Sequence, residues 1–408
     1  MVHKLLNKKS WIYILLGFIS ALKISFLGEI FIGELISLFL IIPILFFRNV
    51  SKDEILFISL AVSWFLLQII SDFLNQTNIE YMIKGVLTPV VFFSALIVHL
   101  YFFKNTKGDF LFYLMGFFIN KIIFIIFFPN EYQVINSWKF GIGLAVLNIF
   151  LLLLDFNKVR FKTYFLIFCF IVLFLFYSFI SDSRSIATLP VIGFILFYYS
   201  KKYSVLSFFK RNTLIKLIIP IVAGFAILNS AANYIFSNDL MSGILPIEAE
   251  NKFKSQATSD IGLIFAGRTE LLVSIQALRD SPLIGHGSWA QDVEGKYNFE
   301  YNYLRYISGS VDQILESENN LIPSHSFIMG AAVWFGLGGV VIWLLFMNKL
   351  LKSYFINISR LPIYFHVGIV LLLWDFLFSP FGADARWYTA LFVASLLAYI
   401  YRLNIRDI

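Results

Sequence analysis

The 408-residue chain has one cysteine, Cys169, and it lies inside an apolar run, so no disulfide framework holds this fold. Charge is also scarce: Asp, Glu, Lys and Arg make up 14% of the residues, against roughly 25% in ordinary soluble domains. No repeat of fixed period, Gly/Ser linker or low-complexity tract divides the chain, which leaves one integral domain. The basic start (Lys4, Lys8, Lys9) ahead of the apolar residues from Trp11 imitates a signal peptide. No small-residue cleavage site follows, and a second apolar run begins at once, so it reads as an uncleaved first helix. The formal net charge is +7, but the basic residues are spread among short loops rather than gathered on a patch, which excludes a nucleic-acid partner.

What is abundant is apolar. Hydrophobic residues make up 59% of the chain, and the mean hydropathy is +0.80. The apolar runs approach the ~20 residues that cross a bilayer, which predicts an all-α polytopic membrane protein. Twelve spans are expected, over residues 11–27, 30–47, 54–71, 85–103, 110–128, 140–154, 161–180, 186–199, 214–229, 326–347, 362–378 and 387–401. Nine thus lie in residues 1–230, three in 323–408, and a large loop with short helices fills 231–322. That loop carries twelve of the twenty-five acidic residues, which marks it as the place for soluble chemistry. Twenty Lys and Arg fall on one side of the spans and five in the short loops of the other, with Lys121 inside a span. The bias puts both termini in the cytoplasm and the loop on the periplasmic face of a bacterial inner membrane.

Four features around that loop suit chemistry. Ser181-Asp182-Ser183-Arg184-Ser185 joins the seventh and eighth spans. It is either a solvated turn or an arginine kept near hydrocarbon, where a cation costs about 2.5–3.5 kcal/mol at a helix centre, for an anionic ligand. Gly267-Arg268 opens a helix in which Leu271, Leu272, Ile275 and Leu278 form one apolar stripe, stopped by Pro282. Arg268 there either binds an anion at the helix start or forms a surface salt bridge. In Pro282-Leu283-Ile284-Gly285-His286-Gly287 the two glycines permit a tight turn. His286 with His325 and Asp292 has no metal-ligand spacing, so no metal is expected. His325, in Ser324-His325-Ser326 ahead of Gly338-Gly339, is either structural or a proton acceptor near neutral pH. Trp289, Tyr297, Phe299, Tyr301, Tyr303 and Tyr306 supply an aromatic face suited to sugars or to the membrane interface.

In this order the features resemble the bacterial O-antigen polymerase and O-antigen ligase superfamily. The resemblance rests on Ser183-Arg184-Ser185, on Gly267-Arg268 through the Pro-x-x-Gly-x-Gly run ending at Gly287, and on His325 before a Gly-rich span. Its motifs cover residues from about 180 to 341, and Ser326 departs from the Asn that many members carry after the histidine. It implies a metal-independent glycosyltransferase without cofactor, acting on a polyprenyl-diphosphate-linked oligosaccharide. Arg184 and Arg268 would hold the diphosphate, Arg386 would assist, and His325 would orient or deprotonate the acceptor hydroxyl. A chain-length regulator or another glycan-assembly protein is an implied partner. Gly285-His286-Gly287 and Ser326 favour polymerase over ligase. A transporter, the third reading, calls for broken or charged mid-membrane helices and internal repeats, and here only Lys121 is deep.

Overall fold

A computed structural model describes residues 8–25, 28–48, 50–106, 110–156, 161–181, 183–202, 230, 234, 238, 268–307 and 320–406. The ninth expected span, Gly267 and most of the loop from 231 to 267 lie outside the described residues.

The chain opens with helix α1 (Lys8–Ser20) and an antiparallel hairpin of β1 (Lys23–Ser25) and β2 (Glu29–Phe31). Helices α2 (Ile32–Phe46), α3 (Lys52–Leu74), α4 (Ile79–Asn105), α5 (Phe110–Phe127) and α6 (Glu131–Ile135) follow. A π-turn (Trp138–Ile142) leads into α7 (Gly143–Phe156), α8 (Phe161–Ile180) and α9 (Arg184–Lys202). In the loop lie α10 (Thr269–Asp280) and α11 (Lys296–Ile307). The chain closes with α12 (Phe327–Phe335), α13 (Leu337–Asn357), α14 (Ile363–Phe378) and α15 (Ala383–Arg406). Among the described residues, five helices are long and apolar enough to cross a membrane: Lys52–Leu74, Ile79–Asn105, Phe110–Phe127, Leu337–Arg360 and Ala383–Ile405. Their outward faces are apolar, as at Phe73, which is 77% exposed.

Polar residues set the helix starts. Glu54 Oε2 accepts the Ser51 N–H at 2.8 Å to open α3, and Asn78 Oδ1 accepts the Glu80 N–H at 2.9 Å to open α4. Ser326 opens α12 by accepting the Met329 N–H at 3.1 Å. Ser and Asn rank alike as N-caps, which accounts physically for Ser326 where Asn was expected.

The observed architecture corrects two expectations. The first span, expected over 11–27, ends at Ser20, because the chain turns into a short hairpin; the rest of the described residues keep the expected helical class. The tenth, expected as one span over 326–347, is two helices broken at Gly336, whose φ of +71° lies outside the helical region. Lys121 lies inside α5, as expected, with its ammonium 3.5 Å from Asp384 Oδ1, and Asp384 also binds Lys23 at 2.7 Å.

Ion pairs tie the two ends of the bundle. At one end Arg48 meets the buried Glu54 at 2.5 Å, Lys104 lies 3.7 Å from the same carboxylate, Lys349 pairs with Asp53 at 2.6 Å, and Arg402 donates to Phe103 O. At the other end Arg386 grips the fully buried Glu34, Nε to Oε1 at 2.7 Å and Nη2 to Oε2 at 2.9 Å. This fork joins α15 to α2 across the chain. Removing one partner of a buried pair strands the other, at about 3–5 kcal/mol. Glu34→Gln should therefore lower the apparent melting temperature of the detergent-solubilised protein strongly, and adding Arg386→Gln should restore part of it; two unchanged melting curves would refute the coupling.

Candidate active site

The loop motif is built into the break between α12 and α13. Gly285 and Gly287 have φ of +74° and +83°. The Gly287 N–H donates to Trp334 O at 3.0 Å and the His286 N–H to Val333 O at 2.7 Å, so the loop takes up carbonyls at the open end of α12. Across the break, the Leu337 N–H donates to Pro282 O at 2.7 Å. A Cβ on Gly285 would lie 2.6 Å from backbone atoms of Trp334 and Phe335, which leaves room only for glycine. His286 Nε2 donates to Ala277 O at 2.8 Å, binding the loop to α10. These three motif residues thus spend their polar groups on structure.

A residue that the sequence reading passed over holds this loop from the other side. Asp72, buried in the last turns of α3, accepts from the Ser288 N–H at 2.5 Å and from Ser288 Oγ at 2.8 Å. Nearby, Asn75 donates to Gly285 O at 3.2 Å and Ser71 to Trp334 O at 2.6 Å. The only sequence signal was a run of polar residues, Ser71, Asp72, Asn75 and Gln76, at the end of an apolar helix.

Helix α10 is present where the sequence placed it, but with a different face inward. Thr269, Val273, Ser274 and Ala277 are buried, while Leu271, Leu272, Ile275 and Leu278 lie half-buried on its flanks. Close packing of α10 on α12 selects small side chains, which a count of large apolar residues misses. The aromatic face of α11 is also divided. Tyr297 donates to Asp280 at 2.7 Å and Tyr301 to Glu270 at 3.0 Å, whereas Phe299, Tyr303 and Tyr306 are exposed. Burial, reinforced by Glu270, pushes Tyr301 up to about 12, so it remains a donor at neutral pH.

Arg268 caps α10, with its guanidinium 5.3 Å from the ring centre of Trp374 and 5.7 Å from that of Phe378, both on the last turns of α14. Among the described residues no carboxylate or carbonyl accepts its N–H groups. Burial lowers its pKa and nearby Glu270 opposes the shift; a guanidinium stays charged throughout the neutral range. His325 is exposed and flanks the same turns of α14. Ser326 Oγ donates to Phe376 O at 2.9 Å, and Ser274 Oγ of α10 to Pro323 O at 3.0 Å.

Arg184 begins α9 rather than lying in the preceding turn, and its side chain is outside the described residues. Helix α9 runs antiparallel to α14. Lys201 donates to Leu361 O at 3.2 Å, Phe197 packs on His366, and a Cβ on Gly193 would meet Val367 Cα at 2.6 Å. That register directs the start of α9 toward the end of α14 that holds Arg268. The Arg268 guanidinium and the His325 segment therefore share the end of α14 toward which the start of α9 is directed. Arg386 is elsewhere, engaged with Glu34 and with Glu29 O at 3.2 Å, on the rim of a cavity of about 810 Å³.

Compared with known proteins, the chain matches no protein-family model, no curated protein and no solved structure. The geometry of the loop makes its own prediction. Asp72→Ala leaves the buried Ser288 N–H without its acceptor, a loss of about 1–3 kcal/mol. It should speed hydrogen exchange across residues 282–292 more than Ser288→Ala does, since that variant keeps the backbone bond; equal exchange in both would refute the Asp72 lock.

Proposed function

We propose that this chain is an inner-membrane glycosyltransferase that polymerises polyprenyl-diphosphate-linked O-antigen repeat units on the periplasmic side. In this reading the twelve expected spans form the scaffold and 231–322 is the external loop. The observation that carries it is Arg268: a charged guanidinium on an aromatic bed, with no acceptor among the described residues, at the corner where α9 begins and the His325 segment passes. A stacked, half-desolvated guanidinium is pre-organised for phosphate oxygens, which it binds through paired N–H groups.

The chemistry follows from those positions. The acceptor hydroxyl oxygen attacks the anomeric carbon of the donor glycan. The bond from that carbon to the diphosphate oxygen breaks, and polyprenyl diphosphate departs with the bonding electrons. Arg268, with Arg184, stabilises the charge that grows on the leaving diphosphate. The exposed imidazole of His325 takes the hydroxyl proton. His286 and the glycines around it have no part in the transfer; they hold α10 and α12 in place.

Deletion of the gene, with surface lipopolysaccharide resolved on a gel, tests the reading. Core bearing one repeat unit is expected, and wild type should restore the ladder. Arg268→Ala should lower purified polymerising activity by about 10²–10³, the loss typical of one oxyanion donor. His325→Ala should lower it by about 10²–10⁴ if the imidazole is the base. Core with no repeat and accumulated lipid-linked polymer would make the protein a ligase; an unchanged ladder would refute both.

A further inference from the structure

The cavity of about 810 Å³ on the other side of the His325 segment has a chemistry distinct from that of the Arg268 corner. Its size is within the ~300–1,000 Å³ of small-molecule sites. Ser324 and Ser326, the two neighbours of His325, line it together with Thr88 of α4, whose Oγ1 donates to Lys84 O at 2.9 Å and so offers a ligand an acceptor. Trp289 and Trp334 form an aromatic wall, ring centres 4.6 Å apart, and Tyr81 stacks on Trp289 at 6.3 Å and 16°.

Charge around this cavity is internally balanced. Glu29 pairs with Lys23 at 2.9 Å, Lys84 with Glu80 at 2.5 Å, and Arg386 with Glu34. Among the described residues that line it, each cation has a carboxylate partner, in contrast to Arg268. Ion pairs and hydroxyls beside aromatic rings suit an uncharged ligand that has both apolar faces and hydroxyl groups. The rest of the wall is apolar, from residues such as Leu35, Leu38, Leu87, Val91 and Phe327, and these side chains would meet the apolar faces of such a ligand.

Trp289 itself is held in an unfavourable backbone conformation. Its φ of +47° is in the left-handed region, a genuine outlier for a bulky residue. Such strain persists only where the surroundings impose it, and it concentrates at functional sites. Here the preceding residue, Ser288, is clamped by Asp72 through both its N–H and its hydroxyl. The clamp fixes the indole on the cavity wall.

We propose that this cavity binds a neutral pyranose residue of the glycan, with Trp289 as its stacking surface and Asp72 as the residue that positions Trp289. The inference rests on the glycosyl-transfer reading and adds to it a sugar subsite next to His325, separate from the diphosphate corner.

The test uses full-length protein in lipid nanodiscs and a panel of methyl pyranosides of hexoses, N-acetylhexosamines and 6-deoxyhexoses, with affinity read by saturation-transfer NMR. At least one pyranoside should bind. Trp289→Ala should weaken it about tenfold, the upper range of one aromatic contact. Trp289→Phe should retain most of the binding, and Thr88→Val, which leaves the clamp untouched, should weaken it independently. Inorganic diphosphate should not compete. The proposal is overturned if no pyranoside binds, if binding survives both Trp289→Ala and Thr88→Val, or if a sugar-free polyprenyl phosphate displaces the bound sugar. An intact ladder in Arg268→Ala cells together with Trp289-dependent sugar binding would remove the polymerase reading and keep the subsite. Loss of that ladder with Trp289-independent binding would do the reverse.

Discussion

The interlock between the loop at 282–288 and the broken helix at Gly336 is the constraint on which the rest depends. A helix that stops inside a bundle exposes carbonyls that hydrocarbon cannot satisfy. Here the N–H groups of His286 and Gly287 accept that task at Val333 and Trp334, while Pro282 O receives the first N–H of α13. Asp72 and Asn75 then fasten the same loop to α3. One set of hydrogen bonds thereby fixes four elements, and with them the His325 segment at the start of α12 and the wall of the cavity beside it.

Electrostatics divides the half of the molecule that holds the loop helices into two regions. On the side of α2 and the hairpin, Lys23, Lys84, Lys121 and Arg386 all have carboxylate partners. At the end of α14, Arg268 has aromatic rings and, among the described residues, no carboxylate in an ion pair with it. A paired cation contributes to stability and presents little field to a ligand, whereas an unpaired one retains its affinity for an anion. The contrast assigns structural work to Arg386 and, under the proposed function, anion binding to Arg268, although the two look alike as arginines at helix starts.

The helical class and the starts of α3, α10 and α15 within a few residues were legible in the sequence, because hydropathy runs and capping residues act locally. The short α1 and the split of 326–347 were not. Apolar composition continues through Gly336 without a polar residue, and only the approach of the Pro282 loop makes a break there favourable. The inward face of α10 was not legible from its apolar stripe for a similar reason: what packs on α12 is set by backbone distance, not by hydrophobicity.

By itself, then, the sequence determined that this is a helical membrane protein, that its charge is sorted between short loops and one acidic segment, and which few residues could meet an anion or a proton. These properties follow from composition and from neighbours in the chain. Only the tertiary structure decided that Asp72 clamps Ser288, that Arg386 answers Glu34 from 352 positions away, and that Arg268 stays unpaired among the described residues. Those outcomes depend on which distant groups share a dry interior, where each buried charge or N–H must find a partner, and separation along the chain carries no information about that.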